Sequence, residues 1–230
     1  MSLFGDFFNL LLPDLCAACD TILVRNEKVI CLKCQYDLPR TRFNSYTDNP
    51  VIRLFWGRVP IENACSFFRY QGGSRFQALI HDLKYRDRKD IGRELGRLMG
   101  NDLNNSAFSG SDMILPVPLH RIKHLERGYN QCDPICEGLS SSLGIPYYSD
   151  LLERPLSSAT QTNKSRYGRW ANVEGIFRVR DPGRLFEKHV LLIDDVVTTG
   201  STLEACSQAV LEIEGARVSI ATLAVSMKSF

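Results

Sequence analysis

The stretch Val190–Thr202 reads VLLIDDVVTTGST. Four apolar residues, Val190 to Ile193, end in two adjacent carboxylates, Asp194 and Asp195, and a hydroxyl-rich turn follows around Gly200. An unbroken apolar run suits a strand buried on both faces, as in a parallel sheet. The next residues, Thr202–Glu214, carry a helical pattern that stops at Gly215. A strand–turn–helix unit belongs to α/β folds, whose ligands bind beyond the carboxyl ends of the strands. Two like charges side by side repel, so a cation or a set of hydroxyl donors is expected against them.

The rest of the chain repeats this grammar. Glu62–Tyr70 reads as a strand, and Gly72-Gly73 turns the chain into a helix with apolar spacing at Phe76, Leu79, Ile80 and Leu83. A second helix is expected over Asp90–Leu103, a strand over Met113–Pro118 and a helix over Asn130–Leu143. Short strands near Tyr147 and at Ile176–Val179 follow, and Val218–Val225 closes the series. Strands alternating with helices predict a parallel sheet flanked by helices over residues 61–230. Residues 41–60, polar and broken by Pro50, read as a linker or covering loop, and residues 1–40 as a separate small unit.

That small unit holds Cys16-x-x-Cys19 and Cys31-x-x-Cys34, two knuckles separated by eleven residues. Paired knuckles can aim four thiolates at one tetrahedral centre, which is what structural Zn²⁺ requires. Four thiolates leave no open coordination position, so the expected role is folding a segment too small for its own core. Cys65, Cys132, Cys136 and Cys206 are dispersed and read as packing residues; His81 and His189 have no ligand-like neighbours in sequence.

The 28 basic and 26 acidic residues give a net charge of +2, too balanced to argue for nucleic-acid binding from charge alone. No run of eighteen apolar residues exists, so no membrane span is expected. The apolar start lacks a positive region and is broken by Asp6, Asn9 and Asp14, which argues against an export signal and for a cytoplasmic protein with reduced or metal-bound thiols.

VLLIDDVVTTGST sets hydrogen-bond acceptors beside donors. Carboxylates at Asp194 and Asp195 accept hydrogen bonds from the vicinal hydroxyls of a ribose. The helix start after Gly200 offers unpaired backbone N–H groups and a favourable dipole to an anion, with Thr198, Thr199, Ser201 and Thr202 adding hydroxyls. A ribose 5-phosphate supplies both partners. No lysine follows the glycine as a Walker loop would need. Basic segments stand elsewhere. Pro116–Gln131 supplies Arg121, Lys123 and Arg127, with Gly128 permitting backbone approach to a phosphate; Thr160–Trp170 supplies Lys164, Arg166 and Arg169; Leu83–Asp90 supplies Lys84, Arg86, Arg88 and Lys89. Each is also what an ordinary solvated face looks like.

Leu191–Thr202 resembles the phosphoribosyl pyrophosphate motif of type I phosphoribosyltransferases. With the cysteine knuckles and the segments LIHDLKYRDRKD, PVPLHRIKHLERGYNQ and TQTNKSRYGRWANVEGIF, nearly the whole chain resembles the ComF family. The resemblance implies a type I phosphoribosyltransferase-like fold behind a zinc finger, with phosphoribosyl pyrophosphate and Mg²⁺ as ligands. It implies that Arg121, Lys123, Arg127 and Gly128 form a pyrophosphate loop, and that Lys164, Arg166 and Arg169 belong to a catalytic loop closing over substrate. Lys164 departs from the family pattern, which more often has an apolar residue there. The implied reaction transfers phosphoribosyl to a nitrogen base or another nucleophile through an oxocarbenium-like state. The family also implies a non-catalytic alternative: sensing phosphoribosyl pyrophosphate, or binding single-stranded DNA or DNA-uptake proteins in natural transformation, with Tyr85, Tyr129, Tyr167 and Trp170 as stacking platforms.

Overall fold

The computed structural model describes residues 13–155 and 176–226. Four strands form a parallel sheet: β1 (Asn63–Tyr70), β2 (Met113–Pro116), β5 (His189–Val197) and β6 (Arg217–Ser226), in the spatial order β1-β6-β5-β2. Two short strands, β3 (Leu152–Glu153) and β4 (Arg178–Val179), pair antiparallel beside it. The expected strand near Tyr147 is one bridge, parallel to Ile114 on the outer side of β2. The strand predicted over Met113–Pro118 ends at Pro116.

Because β5 is central, Val190 to Ile193 are fully buried, and Leu192 and Ile193 pair with Ile220 and Ala221 of β6. The strand does not stop at Ile193 as expected. The β-branched Val196 and Val197 keep pairing with β6, at Ala224 and Val225, while β2 has already ended opposite Ile193. Asp194 and Asp195 therefore lie within a strand, at the step where it loses one neighbour.

Helices flank the sheet: α1 (Leu32–Asp37), α2 (Pro50–Arg53), α3 (Arg75–Tyr85), α4 (Lys89–Leu103), α5 (Arg121–Arg127), α6 (Cys132–Leu143) and α7 (Ser201–Leu211). Helix α5 occupies what the sequence presented as a loop. Its residues, RIKHLER, are compatible with a helix; His120 caps the start, and Gly128 (φ +75°) ends it in the left-handed conformation. Helix α7 ends at Leu211 rather than Glu214, and Gly215 (φ +70°) belongs to the turn beyond. Helices α4 and α6 approach closely through glycines. A Cβ on Gly96 would stand 2.2 Å from the Ile135 carbonyl oxygen, and one on Gly138 would stand 2.0 Å from that of Arg93.

Residues 41–60 bury Phe43, Asn49, Val51, Ile52, Phe55 and Val59 and leave the positions between them exposed or half-buried. Arg40 bridges antiparallel to Phe68, so the chain at 39–41 covers the β1 edge. Asn49 is buried; its Nδ2 donates to the carbonyls of Phe43, Tyr46 and Ala64, and its Oδ1 accepts from the amides of Val51 and Ile52. Val51, Phe55, the knuckle residues Cys16 and Cys34, and the sheet interior form one continuous buried cluster. No helix among the described residues is long and apolar enough to cross a membrane.

Candidate functional site

The connection from β2 returns to the outer side of β2, at Tyr147, while that from β5 crosses through α7 to β6 on the other side. A crevice opens where such connections diverge. Here it is a cleft of about 350 Å³, lined by Lys84, Lys123, Arg127, Arg154, Asp194, Asp195 and Thr202 among others. A second groove of about 390 Å³ runs along α7 past Pro60, Phe177, Ala205 and Ala209; it contains none of these acids and lies away from the strand ends.

Consecutive strand residues face opposite ways, so the two carboxylates have different surroundings. Asp195 is 4% exposed. Its Oδ1 lies 2.9 Å from Lys84 Nζ, and its Oδ2 accepts from Gln131 Nε2 at 2.7 Å. Asp194 Oδ1 accepts from the Asp195 amide at 2.8 Å and from Cys132 Sγ at 3.6 Å. Its Oδ2 has no protein partner among the described residues. Burial first, and the charge of Asp195 second, push the Asp194 carboxyl up to about 7. Oxygen donors of this kind suit a hard divalent cation such as Mg²⁺.

After Val197 the chain turns through Thr198, Thr199 and Gly200 into α7. Thr198, Thr199, Ser201 and Thr202 are exposed at the start of this helix, with Thr199 Oγ1 3.1 Å from Ser201 Oγ. Gly200 is required twice over. Its φ is +77°, and an added Cβ would stand 3.0 Å from the Phe55 ring. Arg58 also holds the turn, donating to the Thr199 carbonyl at 3.0 Å and pairing with Glu204 in the first helical turn.

Of the sequence-predicted cations, Lys123 and Arg127 line the cleft and Arg121 opens α5. Lys164, Arg166 and Arg169, together with Tyr167 and Trp170, lie outside the described residues. Four polar cleft residues stand outside the predicted site set: Lys84, named only within a basic segment, and His120, Gln131 and Arg154. Gln131 joins two of the groups around it, since its Oε1 accepts from Arg127 Nη1 at 2.7 Å while its Nε2 serves Asp195. Asn130 Nδ2 donates to the Val117 carbonyl at 3.0 Å, tying this segment to the end of β2. Tyr85 is 64% exposed at the rim, with Arg127 5.2 Å from its ring centre. Tyr129 is buried, its hydroxyl spent on the Leu83 carbonyl.

The four knuckle cysteines bring all their Sγ atoms within 4.8 Å of one another. Zn–S bonds of about 2.3 Å place tetrahedral sulfurs about 3.8 Å apart, and Cys19 Sγ and Cys31 Sγ are 3.8 Å apart. The Cys31 and Cys34 amides donate to the sulfurs of Cys16 and Cys31. Hydrogen bonds at Thr21 lower Cys19 to about 6, whereas burial raises Cys31 and Cys34. The donor set fits a soft or borderline metal cation, which removes the cost of ionising crowded thiols. Cys65, Cys132, Cys136 and Cys206 are buried, and burial raises each thiol above its ordinary range. His189 is also buried, its Nε2 2.9 Å from Ser219 Oγ.

Residues 137–229 match the phosphoribosyl transferase domain family. The chain is 30% identical over 210 residues to the DNA utilization protein YhgH of Escherichia coli O157:H7, covering 90% of this chain and 88% of that protein. It is 33% identical over 135 residues to competence protein F of Haemophilus influenzae, covering 56% and 59%. Among solved structures it is similar to a glutamine phosphoribosylpyrophosphate amidotransferase of B. subtilis, with a TM-score of 0.45, 18% identity and coverage of 62% of this chain and 30% of that one.

Proposed function

Because the chain belongs to the ComF family of phosphoribosyltransferase-like proteins, we propose that its cleft binds phosphoribosyl pyrophosphate and transfers the phosphoribosyl group to a nucleophilic acceptor. One observation carries the reading. A single cleft collects an acid pair, Thr202 from the helix start that follows it and cations from several segments, which are the complements of a ribose, a 5-phosphate and a diphosphate. Asp194 Oδ2 accepts a ribose hydroxyl, and Asp195 lends a second acceptor while held by Lys84 and Gln131. The N–H groups opening α7, with Thr198 to Thr202, take the 5-phosphate. Arg121, Lys123 and Arg127, beside Gly128, are assigned to the leaving diphosphate. Lys164, Arg166 and Arg169 are assigned a catalytic role at the leaving group once substrate is bound. Mg²⁺, when bound, offsets diphosphate charge. In the knuckle, Cys16, Cys19, Cys31 and Cys34 hold structural Zn²⁺.

A second reading has its own support. Tyr85 is an exposed ring flanked by a guanidinium at the rim of a basic cleft, which suits stacking of single-stranded nucleic acid. The test is a calorimetric titration with phosphoribosyl pyrophosphate, with and without Mg²⁺, joined to pyrophosphate release over a panel of nitrogen bases. Binding with base-dependent release is expected. Failure to bind at millimolar ligand, beside salt-sensitive binding of an oligodeoxynucleotide, would replace the first reading by the second.

A further inference from the structure

Two neighbouring acids are a poor floor for a site that takes a diphosphate, because each repels it. The cleft contains a device that offsets this repulsion. Lys84 lies in the last turn of α3, and its ammonium is 2.9 Å from Asp195 Oδ1. The Lys84 side chain is 20% exposed and the Asp195 side chain 6%, so the acid is covered while the ammonium still lines the cleft with Lys123, Arg127 and Arg154. An ammonium carries three donors, and Asp195 is the partner that Lys84 has among the described residues.

The position of Lys84 is fixed from several sides. The Tyr129 hydroxyl donates to the Leu83 carbonyl, Arg127 stacks on Tyr85, and Lys89 Nζ stands 4.7 Å from the Tyr129 ring centre. The end of α3 is thereby pinned to the segment 127–131, whose Gln131 holds the other oxygen of Asp195. Arg127, Gln131, Asp195 and Lys84 form one connected chain of polar contacts.

We propose that Lys84 is a ligand-binding residue that neutralises Asp195 and turns its remaining donors to the anionic diphosphate of the bound substrate. The inference rests on the phosphoribosyl pyrophosphate reading. It adds a cation supplied by α3, outside the basic segments assigned to the leaving group. It also gives the two acids different surroundings in use: Asp195 paired with a fixed cation, Asp194 open to the ligand.

The test is binding of inorganic pyrophosphate and, separately, of MnCl2 alone, to the full chain and to Lys84→Met and Lys84→Arg. Removing one charge-assisted hydrogen bond weakens affinity for pyrophosphate roughly 10- to 100-fold. Lys84→Met should show that loss while Mn²⁺ binds as well as before or more tightly, since an acid has been uncovered; Lys84→Arg should restore part of the pyrophosphate affinity. Unchanged pyrophosphate affinity, or equal loss of both ligands at an unchanged melting temperature, overturns the proposal. If Lys84→Met does not fold, the double variant Lys84→Met/Asp195→Asn, which removes both members of the ion pair together, carries the measurement. It must bind pyrophosphate more weakly than the parent, and equal binding again overturns the role of Lys84. A parent chain that binds neither pyrophosphate nor phosphoribosyl pyrophosphate refutes the reading of the cleft instead.

Discussion

Replacing Asp194 by Asn should stabilise the protein, and by an amount that grows with pH. The Asp194 carboxyl is raised from an ordinary 3.8 to about 7, by burial and then by the charge of Asp195. A raised acid favours the protonated folded state. The stability it contributes is full below the unfolded value near 3.8 and is lost as pH rises through about 7. Three units at ~1.4 kcal/mol each set a ceiling of ~4 kcal/mol; Asp194 keeps some access to the cleft, and solvent screening brings the expected value to about 1–2 kcal/mol. Asparagine keeps an oxygen for the Asp195 amide and cannot ionise. At pH 8 the variant should melt about 2–8 °C above the parent; at pH 3, below the unfolded value, where the acid is protonated in both states, the two should melt together. Scanning calorimetry at half-unit steps from pH 3 to 8.5 provides the curve. A difference that stays flat across this range, or a variant that melts lower at pH 8, would refute the reasoning.

Gly138→Ala should destabilise by ~1–3 kcal/mol from forcing α4 and α6 apart, less ~1 kcal/mol of gained helix propensity, because its Cβ would stand 2.0 Å from the Arg93 carbonyl oxygen; Gly110→Ala, with nothing within 4 Å, should change the urea midpoint little. Cys31→Ser should remove bound metal from the purified protein, as read by elemental analysis, and loosen the knuckle to proteolysis before the sheet domain; a parent protein carrying no metal would sink the zinc assignment.

The sheet was legible because its strands are long apolar runs between turn residues, and Val190–Ile193 is the plainest of them. Its end was not legible: what carries β5 on to Val197 is pairing with Ala224 and Val225, a partnership made across the sheet. The basic stretch 121–127 hid a helix because seven residues give too few turns for an amphipathic pattern to declare itself. The need for a cation or hydroxyl donors beside the two acids followed from charge alone, yet Lys84 stood in a basic segment that read equally as a solvated face. One clue was present. In α3 the buried stripe runs Phe76, Leu79, Ile80, Leu83, and the next position of that 3.6-residue pattern is Lys84, a charge where an apolar residue belongs. Gln131 and Arg154 had no comparable signal, since a polar residue in a polar segment breaks no pattern. The cysteine knuckles were readable from spacing alone, because the fold of such a unit is dictated by its ligands.

The contact between Arg58 and the Thr199 carbonyl joins residues 141 positions apart, and Phe55 fills the space against Gly200 from the same side. At roughly 5–20 residues per second, a ribosome makes this early segment about 7–30 s before it delivers the glycine turn. The backing for this loop is thus synthesised well ahead of the loop itself, and must wait, apolar face and all, for its partner. An arrest of translation shortly before Gly200 would leave Phe55 without that cover. The nascent chain is then most exposed to chaperones and proteases at a surface that the finished protein no longer presents.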